Sequence, residues 1–143
     1  MNIIVQEEWF SVKQCKENPL NIYIFGDNNL RIGNGGQAQI RPCQNSTGVT
    51  TKRSPSMTDE AFFNDSFTDL ITIMNDLYTL YQIHTNPNCD HMTLVFPKDG
   101  LGTGLSELPK RAPFINKQLE LLLNQYFNIV TRIDGTLDVV KRN

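Results

Sequence analysis

The sequence predicts an α/β domain, and three observations carry that prediction. Two runs rich in apolar, β-branched and aromatic residues, 20–25 and 92–96, each stop at a glycine or proline, as buried strands do. Segments 58–83 and 115–127 repeat apolar residues at spacings of three and four, the period of an amphipathic helix. The tail holds two β-rich segments, 128–133 and 136–140, around Asp134-Gly135, a strong hairpin signal. Strands alternating with helices, closed by an antiparallel pair, argue a mixed sheet.

Taken in order, Asn2 to Val5 is a short apolar stretch, and 7–16 predicts a helix broken at Asn18-Pro19. Leu20 to Phe25 predicts a strand ending at Gly26, and 26–36 a loop dense in glycine and asparagine. Gln37 to Arg41 opens a helical turn that Pro42 limits. Gly48 to Thr51 predicts a short strand, followed by the polar loop 52–56. Within 58–83 a break is expected at Asn64-Asp65-Ser66, three residues that favour caps and turns. Phe62, Phe63 and Phe67 are expected in the core, with stacking of one ring on a base as the alternative. The strand 92–96 stops at Pro97. Loop 98–109 carries Gly100, Gly102 and Gly104, and Ile115 to Phe127 predicts a helix with Leu119, Leu122 and Leu123 inward.

At 143 residues the chain is read as one domain, 1–143, and 39% hydrophobic against 20% charged residues allow a core without staples. A net charge of −2 excludes a polybasic nucleic-acid binder, so strong non-specific nucleic-acid binding is not expected. Three dispersed cysteines without a Cys-x-x-Cys pair argue against a disulfide framework and for a reducing, cytoplasmic location. His84, Cys89, Asp90 and His91 read as a polar loop before a strand rather than a zinc site, so no metal is expected. No run approaches the roughly 18 apolar residues of a membrane span, and no membrane partner is expected.

The chemistry gathers in two glycine-rich loops, each after a buried strand and before a helical segment. Loops at the carboxyl ends of strands line the ligand crevice of an open α/β sheet. Glycine lets backbone amides approach oxygen atoms, and a helix start adds positive potential, so a diphosphate suits the site. The competing reading is a pair of tight turns needing glycine only for positive φ. No Walker A motif, dinucleotide fingerprint or Gly-x-Ser-x-Gly elbow is present, and no cofactor is expected. Lys52 and Arg53, at a strand end, can meet a phosphate or ribose, or remain solvated; a buried Lys52 could also act as a base. Asp27 and Asp99 precede the glycine turns, where an aspartate caps the turn, binds an amino group or hydroxyl, or acts as a base. Asn28 and Asn29 suit a ribose edge or a turn.

Phe25-Gly26-Asp27-Asn28, Gly35-Gly36-Gln37-Ala38, Gly48 to Lys52, and Gly100-Leu101-Gly102-Thr103-Gly104-Leu105 with Leu108-Pro109 resemble an uncharacterised small family of bacteria and tailed phages. The resemblance runs from about Tyr23 to Pro113 and implies no activity by itself. The same order is similar, more distantly, to macrodomains, three-layer α/β/α modules that bind ADP-ribose. Within them, the group that removes ADP-ribose from carboxylates or DNA bases carries a Pro-Thr-Lys segment, whose lysine would be Lys52. Thr50 stands in place of the proline, and Ser106, beside Glu107, stands where that group has its catalytic aspartate.

The resemblance implies ADP-ribose or a related adenine nucleotide as the partner. Backbone amides of Gly35, Gly36, Gly102, Thr103 and Gly104 would meet the diphosphate, with Gln37, Thr51 and Gly100 among the other ligand-binding residues. Asn28 and Lys52 would address the distal ribose, and Asp27 or Asp99 a polar edge. Were the protein an enzyme, it would hydrolyse an ADP-ribosyl bond, with Lys52 and Asp99 as the catalytic candidates. One alternative is a phage anti-defence or regulatory protein, in the host cytoplasm if phage-encoded, that sequesters a nucleotide signal without turnover. The other is a protein-interaction module with structural glycine loops, homo-oligomeric through the terminal hairpin.

Overall fold

The computed structural model describes residues 1–140. Among them the strands are β1 (Asn2–Gln6), β2 (Asn21–Asn28), β3 (Ser46–Lys52), β4 (Thr93–Pro97), β5 (Ile129–Thr131) and β6 (Leu137–Val139). The α-helices are α1 (Val12–Glu17), α2 (Phe67–Thr85), α3 (Leu108–Arg111) and α4 (Pro113–Phe127). Strands β1 to β4 form one sheet in the order β1-β4-β2-β3, with every neighbouring pair parallel. Antiparallel pairing is found in a separate ladder of β5 and β6 and in one isolated bridge between Lys52 and Phe62. Both expected pairing senses are therefore present, in two ladders. A tight turn can deliver the local pair, whereas each parallel pair needs a crossover.

Alternation along the strands splits the core between the two faces of the sheet. Ile22 and Ile24 of β2, with Leu94 and Phe96 of β4, pack under Ile73, Leu77 and Leu80 of α2 and Leu119 and Leu123 of α4. Tyr23, Phe25 and Val95 point the other way, onto Phe10, Cys15 of α1, Ala38 and Ile40. Full burial of each large side chain contributes about 1.5–3 kcal/mol, which makes these two clusters the main source of stability.

The predicted hairpin forms around Asp134-Gly135. The Gly135 N–H donates to Arg132 O at 2.9 Å and Arg132 N–H to Thr136 O at 2.8 Å, and Gly135 takes φ +87°. It is a three-residue loop closed by a left-handed glycine. The hairpin is docked on the domain, because Leu137 N–H donates to Lys98 O at 2.9 Å.

Two boundaries that bear on the site differ from the sequence expectation. The first helix starts at Val12 rather than residue 7, because the Ser11 hydroxyl accepts the Gln14 N–H at 3.1 Å and caps it there. Strand β2 does not stop at Gly26 but runs to Asn28, so Asp27 and Asn28 lie in the strand. Glycine is needed at 26 for close approach: a Cβ would sit 2.1 Å from Leu101 O. The expected break at Asn64-Asp65-Ser66 forms: Ser66 caps α2, and the Asp65 carboxylate accepts the Phe114 and Ile115 N–H groups of α4. Of the three phenylalanines there, Phe62 and Phe63 are buried, but Phe67, expected in the core, opens α2 on the surface with 76% of its area exposed.

Candidate functional site

A cavity of about 530 Å³ opens at the carboxyl ends of β2, β3 and β4. Asp27, Asn28, Gly35, Gly36, Gln37, Lys52, Asp99, Gly100, Thr103 and Gly104 line it, so both glycine loops face one space. The loops meet at its rim, where Leu105 Cδ1 lies 3.6 Å from the position a Cβ would take on Gly35.

Thr51 and Gly102 do not line the cavity. Thr51 is fully buried, and its Oγ1 lies 2.6 Å from Ser106 Oγ and 3.4 Å from Leu101 O. It anchors the second loop rather than meeting a ligand. A Cβ on Gly102 would lie 2.7 Å from Leu108 Cδ2, so this glycine serves packing at the start of α3. Thr51→Val should cost about 1 kcal/mol through loss of that hydroxyl contact. Loop 101–106 should also become more sensitive to limited proteolysis; an unchanged denaturation midpoint and cleavage pattern would show that the hydroxyl pair holds nothing.

Helix starts do not supply the expected anion potential. Only a five-residue 3-10 turn, Gly36–Ile40, follows the first loop, and the four-residue α3 follows the second. The macrodipole of such short segments is small. What the loops present instead is unpaired backbone. Among the described residues, the N–H groups of Gly35, Gly36, Gln37 and residues 103–106 donate to no protein acceptor.

Asp27, which the sequence suggests as a turn cap, is the centre of an ion cluster. Arg41 grips it with two bonds, Nη1 to Oδ2 at 2.9 Å and Nη2 to Oδ1 at 2.6 Å, and Arg31 Nη1 adds a third at 3.2 Å. The Asn28 N–H donates to Oδ1 at 2.8 Å. Burial pushes this carboxyl up, but the Arg41, Asn28 and Arg31 bonds outweigh burial and hold it below the ordinary aspartate value. The pairing of β2 with β3 shifts register between Asp27 and Asn28, and both residues line the cavity. Gly48 of β3 leaves the space the carboxylate fills, since a Cβ there would lie 2.4 Å from Asp27 Oδ2.

Asn28 shapes the first loop from within: its Nδ2 donates to Ile32 O at 2.9 Å and its Oδ1 accepts the Leu30 N–H at 3.1 Å. Gln37 Oε1 accepts the Phe10 N–H at 2.9 Å and so ties the first loop to the segment before α1. Asp99 is exposed, and its carboxylate has no hydrogen-bond or ion partner among the described residues.

Lys52 and Arg53 have opposite roles. Arg53 turns away from the cavity onto the buried Asp69, with Nη2 to Oδ2 at 2.6 Å and Nε to Oδ1 at 3.1 Å. Lys52 is 5% exposed and makes no salt bridge to any carboxylate among the described residues. Its Nζ lies 3.3 Å from Met57 Sδ and 4.6 Å from the centre of the Phe62 ring. Burial lowers its pKa below the ordinary lysine value, the nearby Glu107 pulls it back up, and Arg111 lowers it again. Glu107 does not line the cavity; its carboxylate faces Arg111 and Lys110 at 3.6 and 3.9 Å.

Arg41 and Trp9 are among the lining residues that carry no site signal in the sequence. Arg41 there is only the end of a helical turn, and Trp9 falls within the expected first helix. In the structure Trp9 is 59% exposed beside the first loop. Among the described residues no cluster of three or more His, Cys, Asp or Glu side chains could hold a metal, and no helix is long and apolar enough to cross a membrane.

Comparison with curated proteins and with solved structures finds no match. A family model described as "Family of unknown function (DUF7831)" matches residues 5–122, most of the chain and both glycine loops, and the protein belongs to that family.

Proposed function

We propose that this protein binds ADP-ribose or a related adenine nucleotide, with the diphosphate between the two glycine loops. Lys52 carries the reading. A buried ammonium without a carboxylate partner costs stability, and an anionic ligand would supply the missing partner. The unpaired amides of 35–37 and 103–106 add neutral donors suited to phosphate oxygens. A cavity of about 530 Å³ is in the range that takes a small organic ligand. The overall charge of −2 does not oppose this, because the positive potential is local to Lys52 and the amides.

Binding without turnover is favoured by the second loop. Ser106 Oγ is engaged with Thr51, and Glu107 is turned toward Arg111. Of the carboxylates at the cavity, Asp27 is held ionised by two guanidinium groups, which leaves Asp99 as the base on offer there.

A thermal-shift and calorimetric panel of ADP-ribose, NAD and ATP tests the reading, repeated on Gly104→Glu. Gly104 has open space around it, with nothing within 4 Å of the position a Cβ would take, so a glutamate there adds charge without a clash. The variant should keep the melting temperature of the parent and lose the nucleotide-induced shift. An undiminished shift would take the diphosphate away from this loop. No response to any of the three nucleotides in the parent protein would reject nucleotide binding and favour an interaction module.

A further inference from the structure

We infer that Trp9 is the stacking platform for the base of the bound nucleotide, an assignment that rests on the nucleotide reading of the same cavity. Trp9 is the single tryptophan of the chain. It stays 59% exposed while its neighbour Phe10 is fully buried. A large indole left on the surface forgoes the burial that usually stabilises it, and here the exposed ring borders a cavity. Its Cζ3 lies 4.0 Å from the position a Cβ would take on Gly36, within the loop assigned to the diphosphate.

The ring is placed by a backbone clamp rather than by its own packing. The Phe10 N–H donates to Gln37 Oε1 at 2.9 Å, and Phe10 O accepts the Gln39 side-chain amide. Both glutamines belong to the turn after Gly35-Gly36, so the segment carrying Trp9 and the first glycine loop are held as one unit. Ile32 and Leu105, both exposed, add apolar surface to the same cavity. Phosphate donors at one place and an indole with aliphatic neighbours beside them match the two halves of a nucleotide, an anion and a flat heteroaromatic ring.

The single tryptophan makes the test direct. Indole fluorescence of the full chain is titrated with ADP-ribose, ADP and inorganic pyrophosphate, exciting at the red edge of the band where adenine does not absorb. Affinities of Trp9→Ala and Trp9→Phe are measured in parallel by calorimetry. ADP-ribose and ADP should quench Trp9, and pyrophosphate should bind without quenching. Trp9→Ala should weaken ADP-ribose about tenfold and leave pyrophosphate unchanged, while Trp9→Phe keeps most of the affinity. Unchanged pyrophosphate binding also shows that the alanine variant retains its pocket. ADP-ribose binding that depends on Lys52 but leaves Trp9 emission and the Trp9→Ala affinity unaltered would overturn the platform and spare the nucleotide reading. No binding of any of the three ligands to the parent protein would overturn both.

Discussion

Lys52→Met should abolish most nucleotide affinity while leaving the free protein as stable as the parent or more so. The two effects have one cause. In the free protein the ammonium is buried beside Met57 and Phe62 without a carboxylate partner among the described residues, so it is desolvated without full compensation. Methionine fills nearly the same volume without the charge. In the complex a charge-assisted hydrogen bond to phosphate is worth about 1.5–3 kcal/mol, so its loss should cost about tenfold to a hundredfold in affinity. The pH dependence has a definite sign. With its folded pKa depressed below 10.5, Lys52 makes the unfolded chain bind more protons between the two values, so stability rises with pH through that window. The methionine variant should lack that rise. Chemical denaturation at neutral and alkaline pH, with calorimetry against ADP-ribose, checks both parts. A variant that melts well below the parent, or keeps its affinity, contradicts this account of Lys52.

Asp27→Ala should be the most damaging single change at the site for stability. It strips the carboxylate from Arg41 and Arg31 and empties a volume that Gly48 leaves for it. Removing one partner of a buried pair costs about 3–5 kcal/mol; the partial exposure of both arginines places the expectation at about 3 kcal/mol. Asp27→Asn keeps the shape and should cost less. Because the folded carboxyl titrates below the ordinary 3.8, its contribution is complete above that pH and is lost as pH falls through the folded value. Acid unfolding should therefore begin earlier in the parent than its neutral-pH stability alone implies, and the asparagine variant should lack that component. Urea melts from neutral pH down to pH values below 3.8 measure it. Equal midpoints for parent and Asp27→Ala at neutral pH would show that the cluster is idle.

The elements legible in the sequence are those with a local cause. The 20–25 run is strongly apolar and became β2, Asp134-Gly135 became the hairpin turn, and Ser66 became the cap that separates Phe63 from α2. What stayed hidden depends on partners far along the chain. Asp27 looks like a turn residue until Arg41, fourteen positions on, is seen folded back on it. Thr51 and Lys52 are adjacent at the end of β3, yet one is turned to Ser106 and the other to the cavity. Gly102 resembles Gly100 and Gly104 in spacing, but only Leu108 reveals that it serves packing. Trp9 follows an expected helical pattern and lies outside the helix, because the Ser11 cap decides where that helix begins.

The strand order also bears on how the molecule is made. β1 has a single neighbour, β4, so Asn2 pairs with Thr93 and Gln6 with Pro97. No earlier strand can substitute, because β2 and β3 pair on the far side of β4. During synthesis β1 therefore waits, unpaired, until the chain has grown past residue 97. Such distant pairing closes a long loop before it gains contacts, which slows folding and prolongs exposure of an apolar edge. Of the strands in this sheet, the earliest in chain order is thus among the last to find its place.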